Sequence, residues 1–257
     1  MQSMTMKKIY AWLVHFYTAL GAVFCLFAII SAIDAYFSYA QGDLLGYHEY
    51  MSMSFFYMAV ILIIDGTDGT LARRVDIKRL APFDGALLDN IIDFSTYAIV
   101  PAIWVYVTPN DVIPGHWKIF CIILIMLSSC YQFCQAEAKT KDDFFKGFPS
   151  YWNIALFYMI YFSYWGHLNV LIITILAILS FVPIKYPYLS KVNAFTNNRF
   201  WQIVIVAMTV IWGAGIIFAA YQWPIYNAVC GVIMIAFAVI YLAMAFYRTF
   251  IPLKTSA

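Results

Sequence analysis

The sequence predicts an all-α, polytopic transmembrane bundle of about eight spans, on three observations. Hydrophobic residues make up 64% of the 257 positions and charged residues only 11%, a balance far from that of water-soluble domains. Apolar runs long enough to cross a bilayer recur from one end of the chain to the other, separated by short polar turns. When those runs are threaded back and forth, nearly all basic residues fall on one side. No soluble domain is left over, so residues 1–257 read as a single integral membrane domain. Neither a low-complexity segment nor an internal repeat is visible.

The spans are expected near residues 10–32, 52–72, 85–107, 117–137, 150–165, 168–184, 200–220 and 225–247. The first follows Lys7 and Lys8 and could pass for a signal peptide, but no small-x-small cleavage site follows it, so it reads as a retained helix. The second carries Asp65 and Asp68 and ends at Arg73 and Arg74; the third opens at Gly85 and carries Asp89 and Asp93. The fifth is the shortest, and the Trp165-Gly166-His167 turn after it predicts a tight hairpin with the sixth. Cys25, Cys121, Cys130, Cys134 and Cys230 all lie in apolar runs without a paired-ligand spacing, which makes them packing residues.

With a cytoplasmic N-terminus, the connections on that side hold Lys7, Lys8, Arg73, Arg74, Lys78, Arg79, Lys139, Lys141, Lys146, Lys185, Lys191, Arg199, Arg248 and Lys254, leaving only Lys118 opposite. An odd number of spans would break this sorting, so both termini are expected to be cytoplasmic. The opposite connections, 33–51, 108–116, 166–167 and 221–224, carry Asp34, Asp43, Glu49 and Asp111.

The chemistry lies in four aspartates: Asp65-x-x-Asp68-Gly69-x-x-Ala72-Arg73, eleven residues, then Gly85-x-x-x-Asp89-x-x-x-Asp93. Ionised carboxylates in hydrocarbon cost about 2.5–3.5 kcal/mol each on insertion scales, so something cationic must meet them. Spacings of three and of four place each set on one face of its helix. Counted inward from the loop at 74–84, Asp65 and Asp93 lie about 12 Å deep, with Asp68 and Asp89 nearer the mouth. An antiparallel hairpin would bring all four to similar depth. Two divalent cations, Mn²⁺ or Mg²⁺, would cancel their formal charge and favour oxygen ligands, and the usual chemistry of such a pair is phosphoryl transfer. Gly66, Gly69, Ala72 and Gly85 leave helix backbone bare for a flat base or a diphosphate, with Arg73 placed to meet phosphate at the mouth.

At these residues the chain resembles the CDP-alcohol phosphotransferase family, whose pattern is D-x-x-D-G-x-x-A-R, a spacer, then G-x-x-x-D-x-x-x-D. Asp65, Asp68, Gly69, Ala72, Arg73, Gly85, Asp89 and Asp93 all match. The spacer of eleven residues, where most members have eight, and the stretch from Gln135 to Asn153 are similar to a bacterial subgroup. The resemblance covers about residues 60–155. It implies that Asp65, Asp68, Asp89 and Asp93 share the two cations, that Asp93 also serves as the base, and that cytidine lies against Gly69 and Ala72. Arg73 and Gly85 complete the expected CDP site, so residues 60–100 become a metal- and CDP-binding hairpin. For the subgroup it implies a CDP-diacylglycerol–choline O-phosphatidyltransferase of the bacterial inner membrane, which moves a phosphatidyl group to free choline and releases CMP.

Choline carries a quaternary ammonium that donates no hydrogen bond, so aromatic faces and a carboxylate suit it. Tyr131, Glu137, Tyr151 and Trp152, at the cytoplasmic ends of the fourth and fifth spans, are the expected pocket, although aromatic residues there also serve as interfacial belts. His15, His48, His116 and His167 are scattered and receive no catalytic role; Asp142 and Asp143 read as a solvated charged loop. Expected partners are CDP-diacylglycerol, choline and membrane lipid, with no nucleic acid and with a homodimer as a candidate assembly. Serine or glycerol 3-phosphate are the alternative acceptors. A cation-coupled transporter is the alternative from another class.

Overall fold

The computed structural model describes residues 2–75, 82–140, 142–163, 165–189 and 191–251, and divides into two compact units, Met1–Val100 and Pro101–Ala257.

The first unit is built on two long helices, α1 (Gln2–Ala40) and α2 (Leu44–Val75). Their turn is closed by Gly42, at φ +79°, and by Asp43, whose carboxylate accepts from the Gly46 amide at 2.9 Å. Only a residue without Cβ holds that backbone without strain. The helices pack closely because α1 offers small residues: Ala28, Ala32 and Ala35 are fully buried, and Ser54 Oγ donates to the Ala28 carbonyl at 2.8 Å. The third span, α3 (Gly85–Val107), starts in this unit with Asp84 as its N-cap. It too packs against α1, closely at Gly21, where a Cβ would lie 2.9 Å from Ile92 Cγ2. α2 and α3 approach each other less closely than each approaches α1. The expected hairpin of the second and third spans is thus held together by the first.

One turn of α3, Ser95–Ile99, is a π-helix, and the Val100 amide reaches back to the Ser95 carbonyl. The extra residue rotates everything beyond Asp93 relative to a regular helix.

The second unit contains α4 (Gly115–Cys134), strand β1 (Phe144–Lys146), α5 (Trp152–Phe162), α6 (Gly166–Leu179), strand β2 (Lys185–Pro187), the single turn α7 (Val192–Phe195), α8 (Arg199–Gln222) and α9 (Ala228–Phe250). β1 and β2 pair antiparallel with Phe145 opposite Tyr186. β2 also lies along α9, where Thr249 Oγ1 accepts from the Lys185 amide at 2.8 Å. α8 and α9 are joined through stacked rings of Trp212 and Phe237, 4.3 Å apart. Trp212 donates to the Tyr158 hydroxyl of α5, which in turn donates to the Met234 carbonyl. Such chains satisfy polar groups that lipid cannot.

Among the described residues six helices are long and apolar enough to cross a membrane, which makes this a multi-pass membrane protein, while α5 and α6 have only 11 and 14 residues. At 1.5 Å per residue those two reach about 16 and 21 Å, short of a hydrocarbon core of about 30 Å. At one end of the pair, Asn169 Nδ2 donates to the Val112 carbonyl at 2.9 Å, and His167 lies 6.2 Å from His116, so the α5–α6 turn meets the turn that leads into α4. At the other end, the Phe148 amide donates to the Leu179 carbonyl and the Gly147 amide to that of Ile184. Eight apolar segments were expected, and all eight form helices.

Candidate active site

Three of the four aspartates converge. One carboxylate oxygen each from Asp65, Asp89 and Asp93 lies within 4.8 Å of the others, and all three residues are half-buried. Asp89 and Asp93, one turn apart on α3, point the same way, as their spacing requires. Asp65 comes from α2, and its Oδ2 accepts from the Tyr97 hydroxyl at 2.7 Å. Tyr97 stands in the π-helical turn.

Asp68 is placed differently. It is the most buried acid of the set, 7% exposed, and its Oδ2 accepts from Thr18 Oγ1 of α1 at 2.9 Å. Next to it, the Tyr17 and Thr67 hydroxyls share a 2.8 Å hydrogen bond. α1 therefore supplies a second set of contacts to the acid-bearing face of α2.

A cavity of about 820 Å³ opens beside these residues, within the range of small-molecule sites. Its lining includes all four expected CDP-binding residues, Gly69, Ala72, Arg73 and Gly85, together with Asp68 and Asp89. Two glycines are bare as expected: a Cβ on Gly66 would meet nothing within 4 Å, and one on Gly69 would meet only the Arg73 guanidinium at 3.4 Å. Arg73 is exposed and donates to Thr70 Oγ1 at 3.0 Å, folded back over Gly69. Gly85 has a different reason to lack a side chain. A Cβ there would lie 2.7 Å from Cε1 of His15.

The donor set fits divalent cations. It consists of carboxylate oxygens, the ligands that Mg²⁺ and Mn²⁺ favour, and Tyr97 and Thr18 fix two of the carboxylates as partners behind metal ligands do.

The four residues expected around choline lie in the second unit, each with its own neighbours. Tyr131 is exposed and stacks 4.5 Å from Phe181; Glu137 pairs with Lys146 at 3.2 Å. Tyr151 is half-buried between Phe145 and Tyr241, at 6.2 and 6.5 Å. Trp152 is fully buried, 5.0 Å from Phe148. Tyr186 and Tyr241, 6.1 Å apart, extend this aromatic group. Nearby lysines are paired: Lys146 with Glu137, Lys185 with Asp142 at 2.5 Å, and Lys191 with Asp143 at 3.4 Å. Asp142 and Asp143 were expected to be solvated; they are exposed, yet both carry partners. Partial burial would raise the Asp142 carboxyl, but the Lys185 hydrogen bond and charge outweigh it and hold the group below its ordinary range. Lys78 and Arg79 lie outside the described residues, as does the side chain of Arg74.

Two residues beside the acids, Tyr97 and Thr18, went unnoticed in the sequence, and His15, which received no catalytic role there, lines the cavity. Tyr97 follows Asp93 by four positions and continues the series from Asp89, a usable signal. Thr18 and His15 are isolated polar residues of an apolar run, and only their place inside a span could have flagged them.

An apolar bundle with three converging acids beside a glycine-lined cavity defines an integral-membrane phosphotransferase centre. The family model described as CDP-alcohol phosphatidyltransferase matches residues 16–183, well over half of the chain, and the chain belongs to that family. Among its curated relatives are three phosphatidylcholine synthases. That of Legionella bozemanae is 41% identical over 206 residues, covering 80% of this chain and 94% of the relative. That of Legionella pneumophila is 35% identical over 244 residues, 95% and 90% of the two chains. The Borreliella burgdorferi protein is 40% identical over 185 residues, 71% and 72%.

Proposed function

We propose that this chain is a phosphatidylcholine synthase: it transfers the phosphatidyl group of CDP-diacylglycerol to choline and releases CMP. The observation that carries the reading is the convergence of Asp65, Asp89 and Asp93 beside a cavity lined by Gly69, Ala72, Arg73 and Gly85. The names of its relatives supply the acceptor. Residues 60–100 form the metal- and CDP-binding hairpin.

Asp65, Asp89 and Asp93 hold one divalent cation, and Asp68 with Asp89, both on the cavity wall, serve a second; Mn²⁺ and Mg²⁺ both suit these oxygens. When bound, the ions supply charge stabilisation to a diphosphate and to the departing nucleotide. The chain's own groups do the rest. Bare backbone at Gly66 and Gly69 lets the nucleotide lie close against α2, and Arg73 swings from Thr70 to the phosphates. Asp93 takes the proton of the choline hydroxyl as its oxygen attacks the phosphorus that bears diacylglycerol. The bond from that phosphorus to the bridging diphosphate oxygen breaks, and CMP leaves with the bridging oxygen. Tyr97 keeps Asp65 from turning away during these steps.

For the acceptor, the half-buried Tyr151, beside Tyr241, offers a ring face to a quaternary ammonium, with Trp152 and Tyr186 buried in the same aromatic group. Lys146, Lys185 and Lys191 are engaged by acids, and Lys139 lies over the rings of Phe145 and Tyr188. The charge sorting supports a bacterial inner membrane with both termini in the cytoplasm. The test is an acceptor panel of choline, serine, inositol, ethanolamine and glycerol 3-phosphate with the purified protein. Choline should support CMP release and the others should not; release with serine and not choline would overturn the assignment.

A further inference from the structure

His15 belongs to α1 and takes no part in the chemistry described so far. It is 7% exposed, and its Nε2 is buried with no hydrogen-bond partner among the described residues. A buried imidazole left so costs stability, so its persistence calls for an occasional partner. The ring is held on three sides. Phe83 lies 4.6 Å away and Trp12 6.1 Å away, centroid to centroid, and the bare Cα of Gly85 abuts Cε1. The fourth side is the cavity, which His15 lines together with Val14 and Thr18 of the same helix.

The lining of the cavity changes along α3. Asp89 lies at the acid cluster, and one turn earlier Gly85 marks the place where the rings of His15, Phe83 and Pro82 gather, beside Asp84, whose Oδ1 accepts from the Leu87 amide as the helix cap. That turn is about 6 Å. A nucleotide whose phosphates lie against the acids carries its nucleoside about that far away. The ring-lined part offers flat apolar surface for a base and one unsatisfied polar nitrogen.

We propose that His15 is a donor-binding residue, whose imidazole hydrogen-bonds the nucleoside portion of the lipid-linked cytidine nucleotide, and that Gly85 lacks a side chain so that the imidazole can stand there. This rests on the reading of the cavity as the nucleotide site, and the experiment separates the two. Binding of CMP and of inorganic pyrophosphate is measured by calorimetry on the full-length protein in detergent with Mn²⁺, without choline. Three forms are compared: the unaltered protein, His15→Phe, which keeps an aromatic ring against Phe83, and His15→Gln, which keeps a hydrogen-bonding group. His15→Phe should weaken CMP about tenfold while leaving pyrophosphate unchanged, since one buried hydrogen bond to the nucleoside is lost. His15→Gln should recover most of the CMP affinity, and the KM for CDP-diacylglycerol should follow the same order with kcat little altered. Equal CMP affinity in the unaltered and Phe forms would overturn the role of His15, as would a parallel loss of pyrophosphate, which marks mere packing. Failure of the unaltered protein to bind CMP at all would overturn both this inference and the nucleotide site beneath it.

Discussion

The two units treat their acids in opposite ways. In the second, Glu137, Asp142 and Asp143 each face an ammonium, from Lys146, Lys185 and Lys191. In the first, two acids of the motif accept from hydroxyls: Tyr97 donates to Asp65, and Thr18 to Asp68. A lysine cancels a carboxylate's charge; a hydroxyl fixes its orientation and leaves the charge in place. The first arrangement settles a loop. The second holds negative charge in a fixed geometry, inside a span where it is costly, and so prepares it for cations from outside.

The sharpest way to break the contrast is to change an acid of the first unit. Asp93→Asn should lower turnover by about a thousandfold, the scale of losing a general base together with a ligand, while CMP still binds. Turnover near normal would remove Asp93 from the chemistry. Next comes a hydroxyl rather than an acid. Tyr97→Phe removes the hydroxyl that orients Asp65, and Mn²⁺ affinity measured by titration should fall about tenfold, as when a partner behind a metal ligand is lost. An unchanged affinity would make the phenol a packing group.

In the second unit the effects should be smaller and confined to the acceptor. Tyr151→Leu should raise the KM for choline about fivefold, in keeping with the loss of one cation–π face, and leave CMP binding untouched. Unchanged choline kinetics would make Tyr151 an interfacial residue. Least of all should come from the exposed pair. Because Lys185 lowers the Asp142 carboxyl in the folded protein, its contribution is present above the unfolded carboxylate value of 3.8 and is lost as pH falls through the lower folded value. Asp142→Asn should therefore cost less than about 1 kcal/mol at neutral pH, with the difference from the unaltered protein vanishing only in strong acid. A large loss in thermal unfolding at pH 7 would mean that the loop depends on this pair.

Much of this was legible in the chain itself. Apolar run length located every long helix, and the three- and four-residue spacings put Asp65, Asp89 and Asp93 on converging faces. The glycines and Ala72 announced the cavity. What stayed hidden depends on geometry between helices. α1 carries no motif, yet its Thr18 and His15 complete the site, because a lone polar residue in a span has no periodicity to reveal which neighbour it meets. The π-helical turn at Ser95–Ile99, which holds Tyr97, is equally silent in composition. The choline residues were inferred from type alone. The structure gives Tyr131 and Glu137 other neighbours and adds Tyr186 and Tyr241 to Tyr151 and Trp152, through strand pairing that no local pattern foretold.

The most direct test of the account is CMP release from CDP-diacylglycerol by the purified protein with choline, followed before chelation, after removal of divalent ions, and after Mn²⁺ is restored. Release should require choline, stop on chelation and return with Mn²⁺. Release that continues undiminished after chelation would contradict the central claim that the acids of the first unit work by holding cations.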